Sequence, residues 1–122
     1  MSLEREPTLD DRFVYAGRIT RVIDGDTVVV DIDLGCEVWL RNVHCRLAGI
    51  NAPEIRGLEA YDGVRAKEYL DFIAHTTKPV ILRTHKDKRE KYGRWLVELW
   101  QDGVCLNQRM VENGHAIVRD AE

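Results

Sequence analysis

FVYAGRITRVIDGDTVVVDIDL, residues 13–34, is the stretch from which the fold is read. Phe13 to Ile23 is rich in Val, Ile and aromatic residues, which suits a strand. Asp24-Gly25 interrupts it, and from Thr27 to Leu34 apolar and polar residues alternate. Val28, Val30, Ile32 and Leu34 fall on one face, Asp31 and Asp33 on the other. Two such runs about an Asp-Gly step predict a β-hairpin.

Outward from the hairpin the punctuation stays legible. Glu37 to Ala48 predicts a third strand, bulged near Asn42. Gly49-Ile50-Asn51-Ala52-Pro53-Glu54 predicts a loop, because Pro53 lacks a donor and drives Ala52 toward extended backbone. Ala66, Tyr69, Leu70, Ile73 and Thr77 recur at helical spacing, with Asp62 as the expected N-cap. Val80 to Thr84 reads as a short strand, followed by a basic loop. Trp95 to Trp100 reads as another strand, closed by Asp102-Gly103. Cys105 to Asn113 predicts a last helix, with Leu106, Met110 and Val111 inward and Gly114 as its stop. Ala116 to Val118 offers a short final strand. This order predicts a mainly β (α+β) fold: a five-stranded OB barrel with a helix between strands 3 and 4 and a C-terminal helix. An SH3-like barrel, the competitor, rarely carries that inserted helix.

Composition narrows the classes. The chain has 122 residues, 44% hydrophobic and 32% charged, which suits one folded domain rather than a disordered chain. Residues 1–12 are polar and aperiodic and are expected to be a flexible arm before a domain at 13–122. No apolar run approaches the roughly 20 residues of a membrane helix, and no signal segment leads the chain, so the expected compartment is the cytoplasm. Cys36, Cys45 and Cys105 are too scattered for a disulfide framework and are expected to be buried or half-buried thiols. The net charge of −3 excludes a chain that grips nucleic acid by bulk charge. Positive charge is instead local: Arg83, Lys86, Lys88, Arg89, Lys91 and Arg94, interrupted by Asp87 and Glu90. Such a run is either a solvated loop or a basic lip that tracks phosphates.

Three places could carry chemistry. Asp26 shares the face of Val28, Val30 and Ile32, so its carboxylate is expected half out of water at the barrel rim, a costly place without a cation or donor. A hard cation would suit it; a solvated turn carboxylate is the plain alternative. Arg46 and Glu54 flank the third strand's end and could face one cavity or form a surface ion pair. In Lys91-Tyr92-Gly93-Arg94, Gly93 permits a tight turn, Arg94 could fork onto a phosphate and Tyr92 could stack on a base or sugar.

Taken in order, Val22-Ile23-Asp24-Gly25-Asp26-Thr27, Arg46-Leu47-Ala48-Gly49-Ile50-Asn51-Ala52-Pro53-Glu54, Lys91-Tyr92-Gly93-Arg94 and Asn107 through Gly114 resemble the staphylococcal nuclease (thermonuclease) family over residues 13 to 119. The resemblance implies an OB barrel that uses one Ca²⁺ to hydrolyse DNA and RNA. By matched position it implies Asp26, Asn51 and the Ala52 carbonyl as metal ligands, Arg46 and Arg94 as phosphate-gripping arginines, and Glu54 as general base. Lys88, Arg89, Lys91 and Tyr92 would be the nucleic-acid-binding lip, with a single-stranded substrate expected. Asn51 stands where the family has an acidic ligand, which implies a weakened calcium site. The chain also stops before the family's third helix. Asp120 and Glu122 replace two nucleotide-facing tyrosines there, and the open surface could be covered by another subunit in a homo-oligomer. A catalytically weak or inactive single-stranded nucleic-acid-binding module is the alternative implied by these departures, and a protein-interaction domain is the reading that net charge alone would favour.

Overall fold

A computed structural model describes Glu6 and residues 12–119, the side chains of 86–88 excepted. The expected arm of residues 1–12 therefore lies, but for Glu6 and Arg12, outside the described residues, as do Asp120 and Glu122. β1 (Val14–Asp24) and β2 (Thr27–Gly35) form the expected hairpin, paired from Ala16–Asp33 to Asp24–Thr27 with shifts of register after Ile19 and after Val22. β3 (Val38–Leu47) pairs antiparallel with β2. The expected bulge is present: Val30 faces Val43 but Ile32 faces Leu40, and Asn42 takes a φ of 56°. Asp31 holds that bulge, accepting from the Asn42 N–H at 2.9 Å and from Arg41 Nη1 at 3.1 Å.

β5 (Val80–Arg89) pairs with β1 and with β6 (Trp95–Gln101). A parallel pairing of β3 with β6, Cys45–Trp95 to Leu47–Val97, closes the five strands into a barrel. Closure removes the exposed edges that an open sheet would leave. Ile19, Val28, Val30, Leu47, Leu82 and Leu99 fill the interior, and Leu70 and Met110 close it from two helices. Those are α1 (Ala60–Ile73), between strands 3 and 5, and α2 (Leu106–Glu112), which follows the short β7 (Val104–Cys105). Asn107 ties α2 to the barrel by accepting from the Leu99 N–H at 3.0 Å and donating to the Ala48 and Val97 carbonyls. Two α-helices stand among the described residues.

Several local expectations give way to tertiary context. Ile50–Asn51 is not loop but a short strand, β4, paired with β8 (Ile117–Val118). The basic segment to Arg89 is strand: β5 pairs with β6 up to Thr84–Val97 and, after a shift of register, again at Arg89–Trp95. A 3₁₀ turn at Gly57–Glu59 starts the helix earlier, so Asp62 sits in the first turn of α1 instead of capping it; its charge there still suits the helix's positive end. Thr77 lies beyond α1, which ends at Ile73. Leu34 is exposed, since it stands past Ala16–Asp33, the last pair with β1. Cys36 is exposed in the β2–β3 turn, whereas Cys45 is buried and Cys105 half-buried; all three are free thiols. No helix among the described residues is long and apolar enough to cross a membrane.

Candidate functional site

The hairpin turn consists of Gly25 and Asp26, with the Asp24 carboxylate accepting from the Asp26 N–H at 3.0 Å. Gly25 is required by proximity, not by a left-handed φ: a Cβ there would stand 2.7 Å from Ala52 Cβ and 2.8 Å from Ala66 Cβ. The turn is thus pressed between the 52–54 loop and α1, and the press fixes Asp26. Asp26 is only 7% exposed, not half out of water as expected at a rim. Its Oδ2 accepts from the Ala52 N–H at 2.9 Å and lies 3.3 Å from Arg46 Nη2, while Oδ1 accepts from Thr27 Oγ1 at 3.2 Å. The donors that burial of a carboxylate demands are therefore the protein's own.

Arg46, opposite Thr27 in the β2–β3 register, is 4% exposed. Its Nη1 donates to the Leu47 and Ile50 carbonyls at 2.7 and 2.9 Å, and its Nη2 to Asn51 Oδ1 at 3.1 Å. With Asp26 also against Nη2, both terminal nitrogens are engaged inside the protein. A two-pronged grip on a phosphate by Arg46 would have to displace them, so its standing contribution to the cleft is charge.

Arg94 enters at the mouth of β6. Its Nη1 donates to Thr27 Oγ1 at 3.1 Å, and its Nε and Nη2 fork onto Glu90 Oε1 and Oε2 at 3.1 and 3.0 Å. Three of the five guanidinium N–H groups are used, and one on each terminal nitrogen has no acceptor among the described residues. Gly93, at a φ of 83°, makes the turn that brings Arg94 back over Glu90. Glu90 also accepts from the Tyr92 and Arg94 backbone N–H groups. The Arg94 guanidinium, with these backbone donors, holds the Glu90 carboxyl down at about 2. Glu90 escaped notice in the sequence as an interruption of basic residues; its spacing four before Arg94 was the available signal.

Thr27 links the two arginines: it donates to Asp26 and accepts from Arg94, giving the chain Arg46–Asp26–Thr27–Arg94. Three of these four residues, all but Thr27, border a cleft of about 1020 Å³. Asp26, Arg46, Glu54 and Arg94 all line it, as do Asp24, Asn51, Arg89, Lys91 and Tyr92. Leu40 to His44, the bulged part of β3, also line it, and the sequence did not mark them as a site. Glu54 is exposed, and its carboxylate has no hydrogen bond or ion pair among the described residues. Burial, reinforced by neighbouring Asp26, raises the Asp24 carboxyl to about 6. Tyr92 is 72% exposed between the cations of Lys91 and Arg94, at 5.1 and 5.4 Å from its ring centre, and Arg89 lies 4.7 Å over the ring of Trp95. Ala52 is buried behind the loop and does not line the cleft, and the Lys88 side chain lies outside the described residues.

The donors around Asp26 and Asn51 are oxygens, the chemistry of a hard cation. Each is also committed internally, Asp26 to Ala52 and Thr27, Asn51 to Arg46. Among the described residues no cluster of three His, Cys, Asp or Glu is placed to hold a metal. The set thus fits a hard cation by type and offers it little charge.

Comparison with known proteins points to one family. Residues 44–122 match the family described as Staphylococcal nuclease homologue. A thermonuclease of Staphylococcus hyicus is 30% identical over 101 residues, covering 81% of this chain and 56% of the relative. An uncharacterized protein of Methanocaldococcus jannaschii is 26% identical, covering 85% of this chain and 59% of the relative. An endonuclease of Bacillus subtilis is 25% identical over 111 residues, covering 84% of this chain and 9% of the relative. The chain thus spans little more than half the length of the first two and a small part of the third.

Proposed function

The chain belongs to the Staphylococcal nuclease homologue family, and from that premise we propose that its cleft hydrolyses phosphodiester bonds of DNA or RNA. One observation carries the reading. Arg46, Asp26 and Arg94, joined through Thr27, line the same cleft as the Glu54 carboxylate, which has no hydrogen bond or ion pair among the described residues. Glu54 is the group left to take a proton from an attacking water, the general-base role. Arg94 turns its two remaining N–H groups to the phosphate and, with the buried charge of Arg46, offsets the negative charge that grows on phosphorus and its oxygens. Thr27 and Glu90 hold Arg94 in place, so little reorganisation is required when substrate arrives. Tyr92, with Lys91 and Arg89, offers a stacking face and positive charge to the flanking nucleotide of a single strand.

Asp26 and Asn51, which line the cleft, would hold the Ca²⁺ that the family resemblance implies. When bound, the ion supplies Lewis-acid polarisation and a template for the phosphate. With Asn51 supplying no charge, calcium affinity is expected to be low.

The test is a labelled single-stranded oligonucleotide incubated with millimolar Ca²⁺. Cleavage is expected, with a loss of roughly 10²-fold or more in Glu54→Gln and Arg94→Ala. No cleavage by the unaltered chain, or cleavage indifferent to both changes, rejects the proposal. A second reading, a binding module without cleavage, is favoured by the occupation of Asp26 by Arg46. It predicts tight binding in chelator that weakens steeply with salt, and no product at any calcium concentration.

A further inference from the structure

Glu54 owes its place to something other than its own side chain, which makes no polar contact among the described residues. Across from it lies Gly63, in the first half of α1 and buried. A Cβ on Gly63 would fall within the van der Waals envelope of the Glu54 carbonyl and 2.7 Å from the Ile55 nitrogen. No other glycine of the chain faces backbone so closely on two successive residues. α1 is thus laid flush against the peptide that carries Glu54, at a point where every other residue type would wedge the two apart. One turn on, Ala66 meets Gly25, and Gly25 meets Ala52. A single seam of small residues therefore sets both the turn that carries Asp26 and the loop that carries Glu54 against one rigid helix.

The geometry points to Gly63 as the positioning residue for Glu54. It acts by letting α1 serve as the platform that fixes the distance from the Glu54 carboxylate to the Asp26–Arg94 side of the cleft. This inference rests on the hydrolytic reading for its kinetic consequence and on packing alone for its structural one. A methyl group at Gly63 must displace the 54–55 peptide, since backbone cannot swing aside as a flexible side chain would. A shift on the order of 1 Å in a reacting group is enough to cost about 10²-fold in rate.

The experiment compares Gly63→Ala with Val64→Ala, its exposed neighbour on α1. In Gly63→Ala, kcat is expected to fall at least tenfold, with KM within about twofold of the parent. The amide resonances of Glu54 and Ile55 should move while those of Val38 and Trp39, at the β2–β3 turn, stay in place. Val64→Ala should do neither. A folded Gly63→Ala chain with unchanged kcat, or with resonance shifts spread evenly through the barrel, overturns the inference. Should Gly63→Ala not fold, ¹⁵N relaxation of the unaltered chain decides: Glu54 and Ile55 are expected to be as rigid as the body of α1, and loop-like mobility there overturns it. Should the unaltered chain cleave nothing, the hydrolytic reading fails, while the resonance and relaxation measurements still test whether Gly63 fixes Glu54.

Discussion

Glu90 and Arg94 are locked together by a two-pronged ion pair in which the Glu90 side chain is only 3% exposed and that of Arg94 26%. The pair shapes the 90–94 turn as well as the cleft, because the same carboxylate takes the backbone N–H groups of Tyr92 and Arg94. Its stability is pH-dependent in a definite direction. The Glu90 carboxyl is lowered from 4.5 to about 2, so its contribution is complete above pH 4.5 and lost as pH falls toward 2. Glu90→Gln should therefore lower stability at pH 7 by about 2 kcal/mol, in the range of hydrogen bonds to charged groups. The deficit should shrink between pH 4.5 and 2. Denaturant unfolding at a series of pH values checks this, and a deficit constant down to pH 2 refutes it.

Asp26→Ala leaves the Arg46 guanidinium buried with its carbonyl partners but without its counter-charge. Breaking a buried pair by removing one partner typically costs about 3–5 kcal/mol. The retained contacts of Arg46 with Leu47, Ile50 and Asn51 place the expected loss at the lower end, about 3 kcal/mol. Urea midpoints measure it; a loss below about 1 kcal/mol would show that Arg46 does not depend on Asp26.

Asn51→Asp restores formal charge to a cation site whose donors are otherwise neutral or already paired. Calcium binding by calorimetry should tighten by about tenfold or more. An unchanged isotherm would mean that Asn51 is not among the ligands. Because Asn51 accepts from Arg46, the variant should also keep the Arg46 contact, and its melting temperature should not fall.

Gly25→Ala forces a methyl group onto Ala52 and Ala66 at 2.7 and 2.8 Å. Overpacking of this kind costs about 1–3 kcal/mol. The double variant Gly25→Ala, Ala66→Gly should recover part of the loss by vacating one side of the contact. Thermal unfolding of the single and double variants tests the pairing; no recovery would assign the clash to Ala52 alone.

The alternation of β2, the bulge at Asn42, the Asp102-Gly103 turn and the apolar stripe of α1 were legible because each is a local pattern. Strand period, turn chemistry and helical spacing act over a few residues. The lesser misreadings were equally local in cause. The basic run passed for a loop because charge outweighed its pairing with β6, and Asp62 passed for a cap because the 3₁₀ turn before α1 leaves no compositional mark.

Position in the cleft was not local. Asp26 meets Ala52 across 26 residues, and Arg94 meets Thr27 across 67. Those contacts exist only because β3 closes on β6 and brings the ends of β2, β3 and β6 to one rim. The order of motifs could bring acids and arginines into one family resemblance. It could not reveal that Arg46 is spent on carbonyls, that Glu90 holds Arg94, or that Gly63 abuts the Glu54 peptide. The sequence by itself determined the barrel, its helices and the residue types available to the cleft. The tertiary structure decided which of those residues are paired, which are exposed and which lie against backbone, since such contacts depend on distances that strand closure sets and periodicity does not encode.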